Sequence, residues 1–73
     1  MDTTTNKSVT RVTADFSPEA YETLSSVSNQ LDASKAEVLR KALGLLNFVV
    51  KHRAQGWRLV LEKDDARKEI VTL

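Results

Sequence analysis

Arg11, Thr13 and Asp15 alternate with Val12, Ala14 and Phe16. A period of two puts the polar three on one face of a strand and the apolar three on the other. The polar face then offers a guanidinium that donates, a hydroxyl that donates or accepts, and a carboxylate that accepts. Val9 interrupts that face, so the alternation is clean only from Arg11 on. A second group is Ser34-Lys35-Ala36-Glu37. Ser34 is expected to cap the Glu37 amide and Glu37 to reach back to the Ser34 amide, as in a capping box. The amides of Lys35 and Ala36 then stay free at the positive end of a helix, where an anion is stabilised. Each group also has a plainer reading, a solvated strand face in one case and a simple helix start in the other.

Other chemistry is poorly provided for. The chain has no Cys and one His, His52, which excludes disulfides, thiolate sites and a multi-histidine centre within one chain. There is no glycine-rich phosphate loop and no paired acid in a plausible cleft, so an enzyme is not expected, nor a cofactor or metal. His52 falls near the end of the second helix, where a cation favours the dipole. Net charge is +1, which alone says nothing about nucleic acid. Its distribution says more. Residues 17–33 carry Glu19, Glu22 and Asp32 and no base, a balance of −3. Residues 34–56 carry Lys35, Arg40, Lys41, Lys51 and Arg53 against Glu37, a balance of +4. No signal-peptide pattern opens the chain and no apolar run is long enough to span a membrane. With no Cys, the expected compartment is the cytoplasm.

The elements that must position these groups follow from caps and periodicity. Residues 1–7 are polar and expected to form a flexible N-terminal arm. Ser17-Pro18 ends the strand and starts a helix, because Pro has no N–H to leave unpaired at the first helical position. This helix is expected over Pro18 to about Gln30, with Tyr21, Leu24, Val27 and Leu31 as its apolar stripe. The second helix is expected from Lys35 to about Gln55, with Gly56 as a left-handed stop. It carries two stripes, Leu39, Leu43, Leu46 and Val50 beside Val38, Ala42, Leu45 and Val49. Together they form an apolar arc wider than the first helix can cover. Phe48 falls nearly opposite the first stripe and needs a separate cover, for which the tail is the candidate. Residues 57–73 read as a β-hairpin, with a short final helix over Asp64–Glu69 as the competitor. A chain of 73 residues makes one small domain with a marginal core. With disulfides and metal excluded, oligomerisation is the remaining stabiliser, and a homodimer is expected.

The stretch TRVTADFSPEAYETLSSVSNQLDASKAEVLRKAL resembles the ribbon-helix-helix family of bacterial DNA-binding proteins, the MetJ/Arc type. Its marks are the polar–apolar strand, the Ser17-Pro18-Glu19 helix start and the Ser34-Lys35-Ala36-Glu37-Val38 start of the second helix. The resemblance covers about residues 8–55. It implies a mainly α fold with short β: an intermolecular two-stranded antiparallel ribbon over four helices, here as domain 8–56 followed by the hairpin extension 57–73. It implies a dimer core of Val12, Ala14, Phe16, Leu24, Val27, Leu39, Leu43 and Leu46. It also implies that Arg11, Thr13 and Asp15 of each chain contact bases. A two-stranded ribbon fits the major groove, where every base pair is distinguishable. Arg11 suits guanine O6 and N7, and Thr13 suits either kind of base edge. Asp15 departs from the usual basic, hydroxyl or amide choice; it can accept from a cytosine amino group, or pair with Arg11 or with a basic residue of a neighbouring chain. Phosphate contacts are implied for Ser34, Lys35 and Ala36, and Lys7 can reach the backbone as well.

The expected function is sequence-specific binding of double-stranded DNA by a homodimer, possible higher-order assembly on DNA included, as a transcriptional repressor or regulator. The alternative is an antitoxin whose residues 57–73 bind a toxin protein. A third reading is an oligomerisation module that never meets DNA.

Overall fold

The computed structural model describes residues 9–72. Two helices, α1 (Pro18–Leu31) and α2 (Lys35–Arg53), are followed by two strands, β1 (Leu59–Lys63) and β2 (Ala66–Ile70). No helix is long and apolar enough to cross a membrane among the described residues. The expected arm and Lys7 lie outside the described residues.

Both helix starts form as read. Ser17 is extended, its Oγ accepts from the Ala20 amide at 3.1 Å, and Pro18 takes the first helical position. Ser34 repeats this for α2, accepting from the Glu37 amide at 3.1 Å. The two helix ends share one design. After α2, the Trp57 amide bonds the His52 carbonyl at 3.1 Å and the Gly56 amide bonds that of Arg53 at 3.0 Å. These are the two bonds of a Schellman cap, with Gly56 at φ 99 in the left-handed position. After α1, the Ala33 amide bonds Ser28 at 3.0 Å and the Asp32 amide bonds Asn29 at 3.2 Å. The left-handed residue here is Asp32, at φ 52. The Ser28 hydroxyl also bonds the Ala33 carbonyl, which ties the corner from within. Asp32, Ala33 and Ser34 thus turn the chain and cap the next helix in three residues.

The tail is a hairpin, not a final helix. Leu59 faces Ile70, Leu61 faces Lys68 and Lys63 faces Ala66 in antiparallel register. The intervening pairs are Val60 with Glu69 and Glu62 with Arg67, the latter an ion pair at 3.0 Å. Two residues, Asp64 and Asp65, make the turn. Asp64 has φ 52, the positive φ that tight hairpin turns need at their first loop residue.

One chain closes very little core. Leu24 is buried from α1, and Val38 and Val49 from α2. Of the expected dimer core, Leu24 is buried and Val27 half-buried, while Val12, Ala14, Phe16, Leu39, Leu43 and Leu46 are exposed in the single chain. Of the second stripe, Val38 and Val49 are buried while Ala42 and Leu45 stay exposed, so a single chain covers only its two ends. The Leu39–Val50 stripe is left open along its length. The radius of gyration is 16.2 Å, against about 11 Å for a compact domain of this length. The tail does not cover Phe48 as expected: its ring lies on His52, with centroids 4.0 Å apart, and stays 59% exposed.

Residues 9–17 lie outside any helix or strand, and Val12 is 83% exposed. The expected strand thus does not form in the isolated chain. The physical reason is the lack of a partner: strand amides and carbonyls need a neighbouring strand. The only two strands among the described residues already pair with each other.

Candidate nucleic-acid interface

Arg11, Thr13 and Asp15 are all exposed, and no ion pair or side-chain hydrogen bond among the described residues engages them. In particular, Asp15 does not pair with Arg11 within the chain. The segment runs directly into Ser17, so the α1 cap fixes where the three side chains leave the helical body.

The start of α2 is more completely built. Ser34 is at the N-cap, its Oγ taking the Glu37 amide and its carbonyl the Val38 amide at 2.9 Å. Of the first four amides of α2, those of Lys35 and Ala36 have no hydrogen-bond partner among the described residues, as expected at a helix start. The Lys35 Nζ lies over the Tyr21 ring, 5.3 Å from its centroid. That distance is within cation–π range. In the sequence, Tyr21 belongs only to the apolar stripe of α1. It also holds the ammonium of Lys35, a residue of the first turn of α2. The spacing between a tyrosine on one helix and a lysine on the next carries no such signal, because the contact depends on how the corner folds.

The capping box is only half formed. Glu37 does not reach back to Ser34. Its carboxylate instead takes Arg40 at 3.0 Å and stands 3.8 Å from Lys41. Arg40 and Lys41 are one turn further on, at the (i, i+3) and (i, i+4) positions that meet on a helix surface. Two cations at that reach outcompete one neutral backbone amide. The hydrogen bond from Arg40, then its charge, and the weaker pull of Lys41 hold the Glu37 carboxyl below its ordinary range. Arg40 and Lys41 are thereby partly neutralised, and Lys35 is the base of the first turn that no ion pair among the described residues engages.

Ser34, Lys35 and Ala36 are thus gathered at one helix end, while Arg11, Thr13 and Asp15 are arranged along a segment with no partner in the chain. His52 stands apart from both groups. Its Nδ1 is 2.8 Å from the Phe48 carbonyl; a carbonyl can only accept, so Nδ1 carries the proton. No group of three or more His, Cys, Asp or Glu suited to a metal ion occurs among the described residues. No protein-family model matches the chain, and neither a curated protein nor a solved structure matches it.

Proposed function

We propose that the chain acts as a ribbon-helix-helix homodimer that binds double-stranded DNA in a sequence-specific way, as a transcriptional repressor or regulator. The observation that carries this reading is a coincidence of two unfinished surfaces. An alternating segment without a strand partner precedes α1, and a leucine stripe of α2 lies open in the same chain. A two-fold axis completes both at once, since an isologous interface presents the same patch on both copies. Residues 9–16 of two chains pair as an antiparallel ribbon, with Val12, Ala14 and Phe16 inward and Arg11, Thr13 and Asp15 outward. Leu39, Leu43 and Leu46 of both chains fill the centre with Leu24 and Val27.

In the major groove, the ribbon brings Arg11 and Thr13 to base edges. Asp15 accepts from a cytosine amino group, or it pairs with Arg11 of the other chain. The free amides of Lys35 and Ala36, the Ser34 hydroxyl and the Lys35 ammonium take a phosphate, with Lys7 a further backbone contact. Phosphate contacts set the register and base contacts set the sequence. The decisive experiment is selection of bound duplexes from a random pool at low salt. The expected outcome is a short motif repeated with two-fold symmetry, bound more weakly as salt rises. If no duplex is retained at low salt, the DNA reading is wrong.

The exposed Leu61 and Val71 of the hairpin favour a second reading, an antitoxin whose residues 57–73 dock a toxin protein. Limited proteolysis of the isolated protein separates the two. Rapid loss of the chain after Gly56 with the remainder intact supports a toxin-binding tail, and a resistant hairpin speaks against it.

A further inference from the structure

We propose that the cleft between the C-terminal end of α2 and the start of β1 binds a small carboxylate with a flat apolar body. The cleft has a volume of about 310 Å³, at the small end of the range for ligand pockets. Its floor is Val49, which is 5% exposed. Phe48, His52 and Trp57 form an aromatic wall, and Leu59 closes the hairpin side. The rings are already arranged for a fourth: Phe48 and His52 are 32° from parallel, while His52 and Trp57 meet edge to face with centroids 6.2 Å apart. Trp57 is nonetheless 64% exposed, so the wall faces open space rather than a neighbouring side chain.

Charge selects the rest of the ligand. Arg53 and Arg58 line the cleft, and among the described residues no carboxylate does. From Val38 to Leu61 the sequence contains no Asp or Glu, yet it carries Arg40, Lys41, Lys51, Arg53 and Arg58. The ion pairs of the described residues engage Arg40, Lys41 and Arg67, leaving both cleft arginines without an acidic partner there. Arg53 gives one Nη hydrogen bond to the Val71 carbonyl at 3.2 Å, and its guanidinium makes no other hydrogen bond among the described residues. A guanidinium takes a carboxylate through two parallel bonds. Apolar walls with two arginines and no acid are therefore complementary to an aromatic acid. The acidic helix α1 of a second copy is the poorer occupant, since a helix about 10 Å across with its side chains is too wide for this volume. Phe48 is nine residues from Leu39, about 180° around the helix, so the aromatic wall lies off the leucine stripe, which Arg53 continues one turn beyond Val50. The inference therefore does not rest on the DNA-binding reading.

Trp57 is the only tryptophan in the chain, so its fluorescence reports on the cleft directly. The full-length protein is titrated with 3-phenylpropionate and, separately, with 3-phenylpropionamide, which has the same body without the charge. A saturable change in Trp57 emission is expected for the acid, with affinity about tenfold or more above that of the amide. Arg58→Gln should reduce acid binding to the level of the amide, and Phe48→Ala should weaken both ligands together. Circular dichroism checks that each variant keeps its helices, and calorimetric titration of the unaltered protein gives the acid-to-amide ratio independently of any variant. Equal affinity for acid and amide, or a response that never saturates, overturns the proposal. So does an emission change that tracks association beyond the dimer in sedimentation, because a second copy is then the occupant.

Discussion

Leu43→Ala tests the dimer most sharply. Leu43 is 68% exposed in the single chain. Burying a leucine fully is worth about 1.5–3 kcal/mol, so sealing the open two-thirds of this one contributes about 1–2 kcal/mol. A two-fold axis doubles the effect to about 2–4 kcal/mol per dimer, because the substitution is present in both chains. At about 1.4 kcal/mol per factor of ten, the dimer should dissociate about 30-fold to several hundredfold more readily. The helix itself should survive, since alanine is the best helix former and only a third of Leu43 is covered within the chain. Sedimentation equilibrium over a range of concentrations measures the dissociation constant directly. Phe48→Ala is the matched control: a comparably exposed apolar residue on the far side of α2, it should leave the constant unchanged. The reasoning fails if the unaltered protein is monomeric at micromolar concentration. It fails equally if Phe48→Ala weakens the dimer as much as Leu43→Ala does.

Arg11→Ala should cost about 1–3 kcal/mol per half-site for the preferred sequence and far less for unrelated duplexes. Lys35→Ala should weaken all sequences alike and lower the slope of log affinity against log salt by about two per dimer; gel-shift titrations at several salt concentrations distinguish the two patterns. Asp32→Gly should stabilise the fold by about 0.5–1 kcal/mol, because a left-handed non-glycine costs about 1–2 kcal/mol and glycine's extra freedom in the unfolded chain returns part of that. Its melting temperature should rise by about 2–8 °C at matched concentration. Glu37 titrates below its ordinary value of 4.5 when folded, so its pairing contributes stability above that pH and loses it as pH falls through the lowered folded value. Glu37→Gln should therefore remove a small part of the acid-induced loss seen in thermal melts. It should also free Arg40 and Lys41 and steepen the salt dependence of DNA binding.

Much of the helical frame was legible because capping is local chemistry. Ser17-Pro18, Ser34 and Gly56 each act within three or four residues of where they stand, and each does so in the structure. The hairpin was legible from alternation, although its turn carries Asp64 at positive φ where glycine or asparagine is the usual signal. Asp32 was not legible as a left-handed cap. It adopts that conformation because α2 must start within three residues of the end of α1, and aspartate tolerates it better than most residues. The partner of Glu37 was not legible, because an amide and two cations lie within equal reach and sequence spacing does not rank them. Which positions of the two stripes are buried was also illegible, since the stripes have identical spacing and only Val38 and Val49 are covered. That choice is set by the contacts the rest of the chain makes, a tertiary matter. For residues 9–16 the missing term is larger still, because the proposed strand partner belongs to another molecule.

That missing partner has an energetic consequence. Fixing eight residues in a strand costs about 1–2 kcal/mol each in backbone entropy, or about 8–16 kcal/mol per chain. Within one chain nothing offsets this: Val12 and Phe16 are exposed and the segment has no ladder. In the proposed dimer, ladder bonds and the burial of Val12 and Phe16 arrive together with the closing of the leucine stripe. Ribbon formation and dimerisation are then a single equilibrium. The base-reading surface does not exist below the dimer dissociation constant, and occupancy of a symmetric site should fall with the square of protein concentration in that regime. A DNA that holds the ribbon in its groove must in turn favour the dimer, by linkage. Leu43→Ala, which touches no DNA in this arrangement, should therefore lower apparent DNA affinity at low protein concentration and lose that effect once the protein exceeds its weakened dissociation constant. An affinity loss that stays constant at every concentration would mean that Leu43 acts on the DNA-bound form itself, and the coupling of ribbon to dimer would have to be given up.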